Sequence, residues 1–293
     1  MPHLRISPRH LGQMLLADFC PRCFFYQVQM NFKPPFDRSM PGLMFHMDSF
    51  EKRIVLAHLE EHGAMPKWLK KLDCTSAVDF PAKMTMEFPK HDIELVGMPD
   101  AVFRKSNNNL YLIDWKTAMY KGEADPFMPI YQTQLLGYAV LLEGNGIGKV
   151  EDAALVYFQN GLKNYESKPL DLMTAQGFDV PFSALIHEVD IDRSGLDPLL
   201  KQIQAIARLT APPEGRERCR DCARLQSLMD GEFFRRNLED ATRVRDGYGR
   251  HLSRGFERSR QRARNAWEED GDSESLLRLD SEALDQVPAS WDC

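Results

Sequence analysis

The sequence predicts an α/β fold, a central mixed β-sheet flanked by helices, and three observations carry that expectation. The middle of the chain holds strand-like runs rich in β-branched and aromatic residues, at 84–88, 93–103, 110–116 and 153–159. A helical stretch at 130–143, closed by Gly144, lies between the third and fourth of them. Two further helical patterns, 43–62 and 196–209, stand outside this group. The 293 residues are 43% hydrophobic and 27% charged, which is ordinary for a folded protein and allows one large or two modest domains.

Taken in order, Ser7-Pro8 reads as a helix start, with the hydroxyl as N-cap and proline in the first turn. Leu11, Met14, Leu15 and Asp18 continue a helical period up to Cys20. Residues 24–41 are aromatic and contain Pro34, Pro35 and Pro41, the pattern of an irregular connection. The helix at 43–62, with Phe50, Ile54 and Leu56, ends at Gly63 as a C-cap. The helix at 196–209 precedes Pro212-Pro213, and the chain carries no internal repeat.

The last part has a different composition. Residues 243–264 carry eight arginines against Asp246 and Glu257, a local charge of +6. Residues 268–285 carry eight acids against Arg278, a local charge of −7. Apolar residues are sparse in both blocks, so we expect a folded body over 1–235 and a charged, partly disordered or helical tail over 236–293, a possible contact for protein partners.

Whole-chain charge excludes one function class. Thirty-seven Lys and Arg against 43 Asp and Glu leave −6, so the chain is no general polyanion binder and nucleic-acid contacts must be local. The most apolar central stretch, Leu135–Leu142, falls far short of a membrane span, and no secretory signal follows the first residues. The expectation is a cytoplasmic protein with no membrane role.

The chemistry concentrates between Leu95 and Lys116. Ser106-Asn107-Asn108-Asn109 is a turn signal between two strand-like runs. A hairpin centred on Asn107 pairs residues whose numbers sum to 214, which places Asp100 opposite Asp114 on one face. Two carboxylates so placed repel unless compensated, and a divalent cation such as Mg²⁺ is the natural compensator. Lys116 points to the same face, while Tyr111, Ile113 and Trp115 form an apolar underside.

Four of the six cysteines form two CxxC pairs, Cys20/Cys23 and Cys219/Cys222. In a reducing compartment such pairs are metal ligands or redox centres more often than disulfides, and four thiolates suit Zn²⁺ or an iron–sulfur cluster. A thioredoxin-like role fits less well, because a helical pattern rather than a strand precedes Cys20. Cys74 and Cys293 have no partner at ligand spacing.

These motifs together resemble the PD-(D/E)XK nuclease superfamily in its RecB-like branch, over roughly residues 7–225. The family's first acid matches Asp100 in Gly97-Met98-Pro99-Asp100, its D-x-K element matches Asp114-Trp115-Lys116, and its Q-x-x-x-Y helix matches Gln134 and Tyr138. The branch's upstream histidine matches His46 in Gly42-Leu43-Met44-Phe45-His46. The resemblance implies a restriction-endonuclease-like core and metal-dependent hydrolysis of DNA. Asp100, Asp114 and His46 would hold Mg²⁺ or Mn²⁺, helped by the Trp115 carbonyl. Lys116 would stabilise charge on the phosphate, and Gln134 and Tyr138 would position the strand or Lys116. It also implies a 4Fe-4S cluster on Cys20, Cys23, Cys219 and Cys222. The usual arrangement there is one cysteine before the core and three after it, whereas this chain has two and two, so zinc stays a competitor. Glu87 is an acid within reach, and Lys105, Lys121 and the arginine block are candidate DNA contacts. Two other readings remain: a non-catalytic nucleic-acid-binding or assembly subunit with the same fold, and a cysteine-based redox or zinc protein.

Overall fold

A computed structural model describes residues 4–33, 42–122 and 124–230. The expected tail over 236–293, with its arginine and acidic blocks, and the prolines at 34, 35 and 41 lie outside the described residues. The chain divides into two units, Met1–Cys219 and Arg220–Cys293.

In the first unit the order is β1 (Leu4–Ile6), α1 (Pro8–Gly12), α2 (Pro21–Gln29), α3 (Gly42–His62), β2 (Cys74–Ala77), β3 (Met84–Phe88), β4 (Ile93–Gly97), β5 (Ala101–Lys105) and β6 (Leu110–Lys116). It continues with α4 (Met128–Gly144), β7 (Val150–Asn160), β8 (Met173–Thr174), β9 (Gly177–Phe178), β10 (Phe182–Glu188) and α5 (Leu196–Ala207). The described part of the second unit is α6 (Arg220–Met229) and the residue after it. None of the described helices is long and apolar enough to cross a membrane.

The main sheet runs β10-β7-β6-β5-β2, with β6 and β7 parallel and the other pairs antiparallel. A three-stranded sheet, β1-β4-β3, pairs β1 parallel to β4. This is the expected mixed α/β architecture.

Strand β6 is covered on both faces. Leu110 and Leu112 join one core with α4, β4 and β7, while Tyr111, Ile113 and Trp115 join another with Val55 and Leu59 of α3. The alternation of β6 thus places Asp114 and Lys116 on the α4 side, continuing the Leu110–Leu112 stripe.

Several expectations are corrected. The run 93–103 is two strands in two sheets, broken at Met98-Pro99-Asp100. Proline lacks the N–H a ladder needs, so the chain leaves one sheet there and enters the other. Residues 24–29, expected to be irregular, belong to α2, whose buried Phe24, Phe25 and Val28 supply an apolar face. The α-helix from Ser7 ends at Gly12, and a 3₁₀ turn over Gln13–Leu15 follows before Leu16 turns extended; Gly12 allows α4 to approach closely, since a Cβ there would lie 2.6 Å from the Ile130 Cα. The Ser7 cap itself is present, its hydroxyl accepting from the His10 N–H.

Candidate active site and cysteine cluster

The hairpin of β5 and β6 has the register that the turn predicts. Ala101 pairs with Ile113, Val102 with Leu112 and Phe103 with Tyr111, each pair summing to 214. Asn108 occupies the left-handed region (φ 71°), and the Asn109 N–H donates to Asn107 Oδ1 at 3.0 Å, which tightens the turn. Asp100 stands one residue beyond the last ladder pair, and its Oδ2 accepts from the Trp115 N–H at 3.1 Å. That bond ties the Asp100 carboxylate to the backbone of the Asp114–Lys116 segment.

Asp114 is 1% exposed. Burial holds its carboxyl above the ordinary carboxylate range; the Lys116 ammonium opposes that rise and the neighbouring Asp100 adds to it. Lys116 sits against Asp114 Oδ2 as an ion pair and places its Nζ 4.2 Å from the centroid of the Tyr131 ring.

Helix α4 supplies the remaining contacts. Gln134 Nε2 donates to Asp114 Oδ1 at 3.0 Å and to the Tyr138 hydroxyl at 3.1 Å, and Gln134 Oε1 lies 3.5 Å from Lys116 Nζ. Tyr131, Gln134 and Tyr138 share one face of α4 by spacing. The close approach depends on glycine: a Cβ on Gly97 would lie 2.9 Å from the Tyr138 ring, and one on Gly137 would lie 2.6 Å from the Pro8 side chain. Burial raises the Tyr138 hydroxyl to about 12, so it remains protonated at neutral pH. Asp100, Asp114, Lys116, Gln134 and Tyr138 therefore converge in one place.

His46 is exposed in the early turns of α3. From that helix it is Lys52 that reaches Asp100, donating to Oδ1 at 2.9 Å and to Asp48 at 2.9 Å. Glu87 is exposed on β3, in register with Glu94. Lys105 lies at the far end of β5 from Asp100 and is held by Glu151 (2.8 Å) and Asp152. Lys121 is exposed in the connection between β6 and α4.

Three residues near the site were not singled out by sequence. Lys52 is one, and Tyr131 is another. Glu51 is the third: it is buried, and its Oε2 accepts from the Thr117 hydroxyl at 2.9 Å, bracing the end of β6 just past Lys116. Burial is the largest influence raising its carboxyl. A signal existed, since Glu51, Val55 and Leu59 are spaced i, i+4, i+8, which puts an acid on the core stripe of α3.

Cys20 is the N-cap of α2, and Cys23 lies in its first turn. Residues 213–219 return beside them: Arg22 Nε donates to the Pro213 carbonyl at 2.9 Å, and the Arg216 N–H donates to Cys20 Sγ at 3.3 Å. Cys23 Sγ and Cys219 Sγ are 3.6 Å apart, and with Cys20 these three sulfurs of the first unit fall within 4.8 Å of one another. Among the described residues this is the one group of three or more potential ligands whose atoms converge so closely.

Comparison with known families follows the same residues. Residues 49–227, more than half of the chain, match the PD-(D/E)XK nuclease superfamily. The chain belongs to that superfamily. PD-(D/E)XK membership indicates a nuclease, an enzyme that hydrolyses phosphodiester bonds. The matched span contains Asp100, Asp114, Lys116, Gln134, Tyr138, Cys219 and Cys222 and begins after His46 and the first cysteine pair. Among solved structures, one described as "Crystal structure of SSO0001" aligns with 72% of this chain and 80% of its own at 13% identity, with a TM-score of 0.39. No curated protein matches.

Proposed function

We propose that this PD-(D/E)XK chain is a Mg²⁺- or Mn²⁺-dependent deoxyribonuclease of the RecB-like type, with Asp100, Asp114 and Lys116 at its reacting centre. The observation that carries this reading is the convergence of two acids and a lysine at the end of β6, with Asp114 and Lys116 in contact with Gln134 and Asp100 held by the Trp115 N–H. The donor set fits a hard divalent ion. Asp114 and Asp100 offer carboxylate oxygens, and the raised carboxyl of Asp114 is what a site lacking its compensating cation should display. His46 is proposed as a further ligand. A cation bound there would polarise a phosphate oxygen and lower the pKa of a water.

The chain's own residues do the rest. Asp114, held by Gln134, keeps one carboxylate oxygen oriented. Asp100 is fixed through the Trp115 N–H. Lys116, whose ammonium is already confined between Asp114 and the Tyr131 ring, stabilises charge that develops on the phosphate. Gln134 and Tyr138 position these groups and transfer no proton. Lys121 is the described candidate for backbone contact to DNA, whereas Lys105 is committed to two acids.

The four cysteines hold either Zn²⁺ or a 4Fe-4S cluster in this reading. Zn–S bonds of about 2.3 Å give sulfur–sulfur edges of about 3.8 Å in a tetrahedron, close to the 3.6 Å between Cys23 and Cys219. A cubane needs a wider cage, so the spacing favours zinc. Metal analysis of anaerobically purified protein separates the two, because a cluster gives a brown protein with iron and zinc gives a colourless one.

The deciding assay is cleavage of single- and double-stranded DNA with Mg²⁺ or Mn²⁺. Activity that Asp114→Ala and Lys116→Ala abolish is the expected result. A wild-type chain that binds but cuts neither substrate would transfer the assignment to a non-catalytic nucleic-acid-binding subunit.

A further inference from the structure

The face of α4 that serves the reacting centre does not stop at Tyr131. Phe127, the N-cap residue of α4, is followed by Tyr131, Gln134 and Tyr138 at i+4, i+7 and i+11, and its right-handed backbone carries the same stripe one step past the helix start. Exposure rises along that stripe toward the helix N-terminus. Tyr138 and Gln134 are half-buried against Asp114, Tyr131 is half-buried beneath Lys116, and Phe127 is 48% exposed. The Phe127 and Tyr131 ring centroids are 6.5 Å apart with planes inclined at 42°. Tyr131 packs against the hydrophobic core, whereas Phe127 is exposed.

The Phe127 backbone is fixed although its ring is open. Its N–H donates to the buried Asp125 carboxylate at 2.9 Å, and its carbonyl accepts from the N–H groups of Ile130 and Tyr131. An isolated exposed phenylalanine is ordinary. This one continues the line of Lys116, Tyr131 and Gln134 into solvent, with exposed Lys121 in the preceding connection.

We propose that the Phe127–Tyr131 face of α4 is a stacking platform for an unpaired nucleobase next to the reacting centre, so that the chain selects single-stranded DNA or a frayed end over an intact duplex. This rests on the nuclease reading only in taking DNA as the ligand. Every base has a π-face, so an aromatic ring grips single strands with little sequence preference. In a duplex those faces are already stacked on their neighbours, and exposing one costs a few kcal/mol. A rigid ring beside a lysine rewards the strand that arrives unpaired.

The test uses the full chain in EDTA, so that binding is read without turnover. Fluorescence anisotropy measures affinity for a labelled oligothymidylate and for a DNA hairpin with a GC-clamped end and a non-nucleotide linker as its loop. Phe127→Ala should weaken oligothymidylate binding about 5- to 150-fold, the range for loss of one base–aromatic stack. Phe127→Leu, which keeps apolar bulk but has no π-face, should lose as much, and Phe127→Trp should retain wild-type affinity. Hairpin affinity should change less than twofold throughout. Phe127→Ala within twofold of wild type on oligothymidylate would overturn the proposal, as would Phe127→Leu at wild-type affinity or equal losses on the hairpin. Cleavage with Mn²⁺ by the same preparations keeps the two claims apart. A chain that cuts DNA without Phe127 dependence sinks the platform and leaves the nuclease. One that binds with Phe127 dependence but never cuts supports the platform and sinks the nuclease.

Discussion

Gln134→Leu is the most informative single perturbation of the site, because Gln134 joins Asp114, Tyr138 and Lys116. Leucine keeps the volume and removes both donated hydrogen bonds. The bond to the buried Asp114 carboxylate is charge-assisted and is worth about 1.5–3 kcal/mol, and the bond to the Tyr138 hydroxyl about 0.5–1.5 kcal/mol. The expected total is about 2–4 kcal/mol. For a unit of this size, about 3 kcal/mol lowers the melting temperature by roughly 6–12 °C. Tyr138→Phe removes only the hydroxyl and should cost about 0.5–1.5 kcal/mol. Added to Gln134→Leu it should cost nothing further, because its partner is already gone, so the double-mutant cycle should return a coupling equal to the hydroxyl bond. Thermal melts in EDTA read the stability, and cleavage assays should show a loss of about 10- to 100-fold, as for outer contacts that orient metal-binding side chains. A Gln134→Leu melting temperature within 2 °C of wild type, or full additivity with Tyr138→Phe, would refute the tether on which the site geometry is argued.

Two other predictions follow from buried titratable groups. Asp114→Asn should abolish cleavage yet stabilise the protein in EDTA at pH 7 by about 1–3 kcal/mol, since the ionised carboxylate is disfavoured in the fold. A carboxyl with a raised folded-state pKa contributes stability at low pH and loses it as pH rises through that value. The gap between variant and wild type should therefore close on acidification, and urea melts across pH 4–8 would show it. His10 stacks on Phe32, and burial, with Arg9 nearby, lowers its pKa from 6.5 to about 4. The unfolded chain takes the proton first, so stability is lost as pH falls from about 6.5 toward 4. Relative to His10→Gln, the wild type should lose about 2 kcal/mol between pH 7 and pH 4.5 in the same melts; parallel curves for the two proteins would discount the half-buried neutral imidazole.

Much of the site was legible because its signals are local. The turn at 106–109 sets the register by counting, and that count alone brings Asp100 to Asp114. The period of α4 likewise put Gln134 and Tyr138 on one face. The break at Pro99 was readable in principle, but the apolar run on both sides of it masked the change of sheet. Strand β10 escaped notice because its seven residues are mostly half-exposed and pair only along one edge of β7. Lys52 and Glu51 were missed for a different reason. Their partners, Asp100 and Thr117, lie 48 and 66 residues away, and no sequence spacing encodes how α3 crosses the strand ends.

Strand β6 touches one apolar core through its even-numbered residues and another through its odd-numbered ones. Its middle amides cannot be reached by deuterium from either flank unless one of those cores comes apart. Leu112 and Ile113 should therefore exchange only through near-global opening, while the strand end at Lys116 exchanges faster. Asp114 thus sits near the end of a strand expected to open slowly, with Asp100 bonded beside it. In the proposed reading a nucleic-acid strand would meet side chains already set, and the adjustment on docking would come from the strand or from the connection between β6 and α4.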